Sequence, residues 1–529
     1  MLAETMPTTI KTGIEISEKN ESVDTRSTNT YSENSYLEES KNYSRDIESL
    51  TLNRSFLFNW VSSMKAEVKG IEPVTDEEKT DTSTLSAANT WFSSSLVLSS
   101  YAVGVLGPCV YGLNFGTSCL TILFFNMLGS IPVGFFSMFG AKTGLRQMIL
   151  TRYLTGNYTA RFFSLINMIS CVGWCVLNTY CSVQLLNMVN HNGHNCPLWA
   201  GCLVIALGTI TVSFFGYSMI HQYEKWSWIP NLAIFFVIIA RLKISGNWSN
   251  GEWPHGPTTA GGVLSFGSAA FGSAAWTTYA SDYTVYVPRN ANKAKIFINV
   301  FSGLTISSCF SMMLGAASGM GAVNDPEWME MYNKNAAGGL IYAILVPRSL
   351  HGFGQFCCVV LALSAVANNL PSMYTIALSA QSLWSPFEKY PRAIWSIAGN
   401  LVMLGLAIPT CYFFPTFLEN FMNTISYYSA IYISLILSEH CIHRRGKYES
   451  YVVEDWNNPN KLPLGIASAL AFFVSAFGVA LGMCQSYWVG NIARLIGKNG
   501  GDIGWELGAA WAFIAFNILR PLEKKFIGR

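Results

Sequence analysis

Charged residues are scarce in this chain. They make up 12% of its 529 residues, whereas 51% are hydrophobic. Soluble globular domains carry about 25% charged residues, so most of this chain is expected to lie in lipid. The net charge is only +2 and the chain has no basic domain, so we expect no nucleic acid partner.

Enzyme signatures are also absent. The chain contains no HExxH, no GxSxG and no Walker-type phosphate loop, so we expect no catalytic residues and no enzymatic activity. None of the 13 cysteines belongs to a CxxC pair, and most lie in apolar segments, where thiols behave as small hydrophobic groups. We expect no disulfide, no metal and no cofactor.

The N-terminal region lacks the apolar stretch of a cleavable signal peptide. Residues 1–88 are rich in Ser, Thr, Glu, Asn and Lys, a composition that buries too little apolar surface to fold alone. We predict a disordered cytoplasmic tail over 1–88, a helical membrane domain over 89–522 and a short cytoplasmic tail over 523–529.

Long apolar segments fill the membrane domain, and each is long enough to cross a bilayer as a helix. The predicted fold is an all-α integral membrane protein with twelve transmembrane helices. The loops placed inside contain 18 Lys and Arg residues and those placed outside contain 6, which predicts that both termini are cytoplasmic. The twelve predicted spans are 91–112, 115–140, 162–189, 197–219, 226–244, 262–287, 296–322, 353–380, 393–413, 417–441, 462–485 and 504–520.

Two spans contain residues that interrupt a helix. The first holds Gly104, Gly107 and Pro108, and the sixth holds Gly267 and Gly272. Backbone freed at membrane depth must line a cavity or be buried in protein, and two such spans in corresponding positions indicate the binding site of a transporter. The alternative is that the small residues only permit close helix packing.

Aromatic and amide side chains within the spans suit a flat polar ligand. Trp174 and Asn178 are four residues apart and share a helix face, so an indole plate lies beside a carboxamide. Trp276, in the sixth span, would close the other face of a stacked ring. The alternative for each of these residues is ordinary packing within the helix bundle.

The eighth span contains the sequence Asn368-Asn369-Leu370-Pro371-Ser372. Adjacent helical residues point about 100° apart, so one asparagine can face a cavity while the other binds a neighbouring helix. Asn369 and Ser372 share a face. Polar groups at this depth favour a functional interpretation.

Carboxylates are missing from the middle of the first, third and eighth spans. The best candidates for carrying a coupled proton are therefore Glu224 and Asp282. For Glu224 the alternative is an ion pair in a loop, and for Asp282 it is a pair with Arg289 or Lys293.

From residue 60 to the C-terminus the chain resembles the fungal purine–cytosine permeases of the nucleobase–cation symporter family. This resemblance implies a LeuT-like fold, a five-plus-five inverted repeat in which helices 1 and 6 are broken. It also implies proton-coupled uptake of purine bases and cytosine across the plasma membrane. The binding positions that it implies are Ser100, Trp174, Asn178, Trp276 and Asn369. The segments that carry the resemblance are 69–74, 101–108, 144–148, 163–174, 223–228, 276–286, 368–374 and 500–504.

Two positions depart from the family pattern: Ser95 and Ser372 stand where the family has asparagine. A hydroxyl is shorter than a carboxamide and makes no bidentate contact, so the substrate stays open. A vitamin B6-like or other nitrogen heterocycle is one alternative, and a nucleobase receptor that does not transport is another. Ser372 is taken as a further binding residue, and Ser372→Asn is predicted to change the substrate profile. The oligomeric state is left open.

Overall fold

The structure, a computed structural model, describes residue 63 and residues 69–81, 83–190, 193–413 and 417–528. The rest of the predicted N-terminal tail lies outside the described residues. Sixteen α-helices account for most of the described chain. They are α1 Leu85–Ser95, α2 Leu98–Cys109, α3 Phe115–Thr143, α4 Gln147–Thr155, α5 Asn157–Met188, α6 Leu198–Ser213, α7 Tyr217–Ser245, α8 Pro257–Ala270, α9 Lys293–Asn324, α10 Pro326–Leu345, α11 His351–Ala362, α12 Ser364–Leu383, α13 Arg392–Phe413, α14 Phe417–Ser438, α15 Ile466–Gly482 and α16 Gly504–Ile527.

Shorter elements connect these helices. A long 3-10 helix, Phe271–Tyr283, follows α8 directly, and two-residue strands, β1 Cys484–Gln485 and β2 Trp488–Val489, form an antiparallel pair before α16. By length and hydropathy, six helical stretches within the described residues are able to cross a bilayer, or seven if α1 and α2 form one bent span. Every predicted span overlaps at least one helix, and the number twelve stays a prediction.

The segment before α1 is folded onto the membrane domain. Ile71 and Val74 are buried, and the Val74 N–H donates to the Gly144 carbonyl at 2.9 Å. The Lys79 ammonium is buried too and donates to the Ala141 carbonyl at 2.9 Å. The described residues from 69 to 88 therefore belong to the folded domain and not to the predicted disordered tail, because these few apolar and polar contacts hold them.

The first span is broken, but not where its glycines and proline suggest. Helices α1 and α2 meet at an angle of 55° across Leu96 and Val97. Pro108 lies in the last turn of α2, and a Cβ on Gly104 would come within 1.9 Å of the Met312 carbonyl oxygen. Gly104 thus serves close packing of α2 on α9, which is the alternative interpretation, and the predicted position of the break was wrong.

The sixth span changes helix type at Ala270, near the predicted interruption. Helix α8 ends there and the 3-10 helix begins, with Tyr279 leaving helical geometry at φ −146°. Gly272 lies just after the change, and a Cβ there would meet the Met422 Cε at 2.4 Å. The two interrupted spans come together, since the rings of Trp91 and Trp276 make an edge contact at 5.0 Å.

Candidate functional site

A small cavity lies where the two interrupted spans meet. Its volume is about 20 Å³, which is room for about one water molecule. Small-molecule sites that are ready to bind usually measure about 300–1,000 Å³, so this cavity is nearly closed. It is lined by Ser95, Ser99, Ser100, Val103, Trp174, Ser273, Trp276, Ser308, Met312, Asn368 and Met422.

Two tryptophans face each other across this cavity. The ring centroids of Trp174 and Trp276 are 6.4 Å apart and their planes differ by 20°. A planar ring in contact with both faces needs about 7 Å between them, twice the contact distance of about 3.5 Å. The two indoles must therefore move farther apart to admit a flat heterocycle between them.

Neighbouring aromatic rings fix the orientation of both indoles. Trp276 is held edge-on by Trp91 and by Tyr279, at centroid distances of 5.0 Å and 5.3 Å. On the opposite side, Phe421 of α14 contacts Trp174 at 5.6 Å in a T-shaped arrangement. The facing arrangement of the indoles is thus built into the surrounding packing.

The structure divides the predicted binding residues into two groups. Ser100, Trp174 and Trp276 line the cavity. Asn178 and Asn369 instead contact each other, with the Asn178 Nδ2 donating to the Asn369 Oδ1 at 2.9 Å. These two asparagines join α5 to α12, and neither they nor the buried Ser372 are among the residues that line the cavity.

Asn368, and not its neighbour, presents its amide to the cavity. Its Oδ1 has no hydrogen-bond partner within the described residues, and the same holds for the Trp174 Nε1 and the Ser273 Oγ. Buried polar groups are nearly always hydrogen-bonded, so an acceptor, a donor and a hydroxyl stand free for a ligand. Such a set suits a molecule that carries both donors and acceptors on its edges.

Five residues that were not predicted to bind a ligand also line the cavity: Ser99, Ser273, Ser308, Met312 and Met422. Ser308 and Met312 are four residues apart and so share a face of α9, which is a usable signal. The same spacing of small and apolar residues also serves helix packing, and this ambiguity hid them.

Glu224 lies in the protein interior. Helix α7 begins at Tyr217, two turns earlier, and carries Glu224 against α1, where the Ser94 hydroxyl donates to its Oε1 at 3.4 Å. The side chain is fully buried, and its Oε2 has no hydrogen-bond partner within the described residues. The alternative of a loop ion pair was wrong, because the polar sequence around Glu224 belongs to a helix.

Side chains satisfy the backbone freed at the break between α1 and α2. The Leu96 carbonyl accepts from the Asn231 Nδ2 at 3.2 Å, and the Ser95 carbonyl accepts from the Ser311 hydroxyl at 3.3 Å. The Leu98 N–H donates to the Ser364 hydroxyl at 3.1 Å. These bonds explain how an interrupted helix persists at membrane depth.

Asp282 caps a helix. Its Oδ1 accepts from the Gln147 N–H at 2.7 Å, at the start of α4, and its carbonyl accepts from the Arg146 guanidinium at 2.9 Å. The alternative pairing with Arg289 or Lys293 was wrong. Arg289 lies 3.3 Å from Asp76 instead, and the Lys293 ammonium lies 4.2 Å from the Tyr448 ring centroid.

The fold is similar to that of solved membrane transporters. It is similar to the solved structure of Mhp1, a nucleobase-cation-symport-1 family transporter, in a closed conformation with bromovinylhydantoin bound. The TM-score is 0.63 at 16% identity, over 87% of this chain and 95% of that one. An inward-facing conformation of Mhp1 gives the same TM-score over 86% of this chain and 96% of that one, at 13% identity.

The chain belongs to the family described as permeases for cytosine/purines, uracil, thiamine and allantoin, whose profile matches residues 73–490. It is 58% identical to purine-cytosine permease FCY2 of Saccharomyces cerevisiae, over 90% of this chain and 89% of that protein. It is also 43% identical to purine-cytosine permease fcyB of Emericella nidulans, over 88% of this chain and 91% of that protein. The protein is thus a fungal-type purine–cytosine permease by family and a multi-pass membrane protein, and its relatives are transporters and not enzymes.

Proposed function

We propose that the protein is a secondary active transporter that takes up purine bases and cytosine together with protons. The observation that carries this proposal is the facing pair of Trp174 and Trp276, with the unpartnered Asn368 oxygen at the same cavity. Purines and cytosine are flat rings with donors and acceptors on their edges. Stacking between the indoles and bonding to the amide and hydroxyls would satisfy both features.

Glu224 is the residue we assign to the proton. An ionised carboxylate in a buried position costs several kcal/mol unless it is paired, whereas a protonated one costs far less. Within the described residues no cation pairs with this carboxylate, and the Ser94 hydroxyl that donates to it belongs to α1, whose end forms the helix break. Binding and release of a proton at Glu224 would therefore change the geometry of the break between α1 and α2.

The remaining parts of the proposal concern topology. We place the protein in the plasma membrane with twelve spans and both termini in the cytoplasm, as the distribution of Lys and Arg predicts. The first ten spans form the five-plus-five inverted repeat.

A vitamin B6-like heterocycle is the second candidate substrate. Ser95 is one of the two positions that depart from the family pattern, and it lines the cavity. The vitamin B6 transporter TPN1 of Saccharomyces cerevisiae is 28% identical to the chain, over 93% of this chain. Identity to the three yeast purine-cytosine permeases is 57–60%, which favours the nucleobases.

Uptake in cells that lack their own nucleobase carriers tests the proposal. We expect saturable accumulation of labelled adenine and cytosine that is abolished by a protonophore and unaffected by replacing sodium with choline. Saturable binding without accumulation would indicate a receptor and refute transport. Stronger competition by pyridoxine than by unlabelled adenine would refute the substrate assignment.

A further inference from the structure

A second cavity lies along α5, beyond the central one, and unlike the central cavity it is open. Its volume is about 440 Å³, large enough for a small planar molecule. We propose that it is a second binding site for the same heterocycles, occupied before they reach the central cavity. This inference rests on the proposed function, including the proposed orientation. We call it the vestibule site and define it by Tyr180, Gln184, Asn187, Tyr332, Asn335 and Tyr412.

The position of the vestibule site on α5 places it on the way to the central cavity. Tyr180 and Gln184 follow Trp174 by six and ten residues, a rise of about 9 Å and 15 Å at 1.5 Å per residue. In the proposed orientation this end of α5 faces the outside. Tyr332 and Asn335 belong to α10, which packs against both α5 and α2. The vestibule site therefore lies next to the helix that lines the central cavity.

The carboxamides of the vestibule site leave hydrogen-bonding capacity for a ligand. The buried Asn335 Nδ2 lies 3.3 Å from the Gln184 carbonyl, 3.0 Å from the Gln184 Oε1 and 3.2 Å from the Asn187 Oδ1. The Gln184 carbonyl also accepts a helical N–H within α5, so the two protons of the carboxamide serve the two side-chain oxygens. Each of these oxygens keeps a lone pair that a ring N–H or an exocyclic amine would occupy.

The backbone at the vestibule site is held in a strained conformation. Ala336 has φ 48° and ψ −144°, a combination that residues with a side chain rarely adopt. Two residues further on, α10 packs closely on α5, since a Cβ on Gly338 would come within 2.5 Å of the Leu185 nitrogen. Strain of this kind persists where the surroundings enforce it and concentrates at ligand sites.

Three phenol rings complete the vestibule site. Tyr180 is buried, Tyr332 is half-buried and Tyr412 is exposed, so ring surface runs from the interior towards the opening. Aromatic surfaces stack on any flat ring, while the carboxamides read its edges. The class of ligand is therefore a planar nitrogen heterocycle without positive charge, because Lys334 also lines the cavity.

Equilibrium dialysis of the purified full-length protein in detergent, with labelled adenine, tests this inference. We expect two classes of site in the wild-type protein. Trp174→Ala should remove the tighter class and keep the weaker one, and Gln184→Ala should do the reverse. In uptake assays Gln184→Ala should raise KM about two- to tenfold with kcat unchanged, as expected for the loss of a net hydrogen bond.

Asn324→Ala provides a matched control, since this exposed amide binds Asn247 and Ser249 in a loop near the same end of the molecule. It should keep both classes of site. A single class in the wild-type protein, or a second class that survives Gln184→Ala, would overturn the vestibule site and leave the proposed function intact. No binding of adenine and no uptake by the wild-type protein would instead overturn the proposed function.

Discussion

Glu224→Gln separates transport from proton coupling. Glutamine has nearly the same shape as the protonated side chain and keeps an oxygen that accepts from the Ser94 hydroxyl. It neither binds nor releases a proton. The variant should therefore still bind and exchange substrate but lose the ability to concentrate it.

The size of the effect follows from the free energy that one proton supplies. Each pH unit across the membrane contributes about 1.4 kcal/mol per proton, which is a factor of ten in a concentration ratio. With the outside two pH units more acidic and the membrane potential clamped to zero, one coupled proton gives a limit of about 100-fold accumulation. For Glu224→Gln the limit is a ratio of about one.

Proteoliposomes containing the purified protein and labelled adenine provide the assay. Counterflow exchange at equal pH on both sides is measured first and should persist in Glu224→Gln, which shows that the variant is folded. Accumulation driven by pH is measured next. If Glu224→Gln still accumulates adenine about 100-fold, the assignment of the proton to Glu224 is wrong.

Asp282→Asn is the matched control. It alters another buried carboxylate but keeps an oxygen that accepts from the Gln147 N–H. Because Asp282 caps a helix, we expect this variant to retain pH-driven accumulation. Loss of accumulation in Asp282→Asn together with retention in Glu224→Gln would transfer the coupling role to Asp282.

Three further substitutions test the central cavity and the packing around it. Trp174→Ala removes one of the two stacking faces and should weaken binding about 10- to 100-fold at normal surface expression, measured by competition for uptake; unchanged affinity would make this indole a packing residue. Ser95→Asn should change the order of preference among adenine, cytosine and pyridoxine more than Ser372→Asn does, because only Ser95 lines the cavity; the reverse order would place Ser372 at the ligand. Gly104→Ala should lower the melting temperature and the uptake rate, since the new Cβ would meet a carbonyl oxygen at 1.9 Å. Gly405→Ala is the control: a Cβ there would point into open space, so both quantities should stay unchanged.

The break in the first span shows what the sequence permits one to predict. An interruption was predictable, but its position was not. Gly104 and Pro108 are residue types that break helices, whereas Leu96 and Val97 are not. The run Ser93-Ser94-Ser95 was the usable signal, since serine side chains compete for backbone hydrogen bonds and disfavour helix interiors. Gly104 instead permits close packing of α2 on α9. The distance between these two helices depends on tertiary contacts, so the sequence around Gly104 does not reveal it.

The asparagine pair and Glu224 illustrate a second limit. Sequence spacing predicts that Asn368 and Asn369 point in different directions, but the rotation of α12 about its axis decides which one faces the cavity. That rotation is set by tertiary contacts, including the bond between Asn178 and Asn369. Glu224 falls between two predicted spans because the first turns of α7 are polar. Hydropathy does not reveal a helix that starts with polar residues buried against a partner, so a loop ion pair stayed an alternative for this proton candidate.

The near-closure of the central cavity affects how any affinity for this protein is to be interpreted. A substrate must find or create a form in which the two indoles stand farther apart, and the measured dissociation constant is the intrinsic one divided by the fraction of that form. If the open form makes up about 1% of the population, the apparent affinity is about 100-fold weaker than the contacts alone would give. A substitution far from the ligand that favours the open form therefore tightens binding without adding a contact, and affinity alone does not identify the residues that touch the substrate.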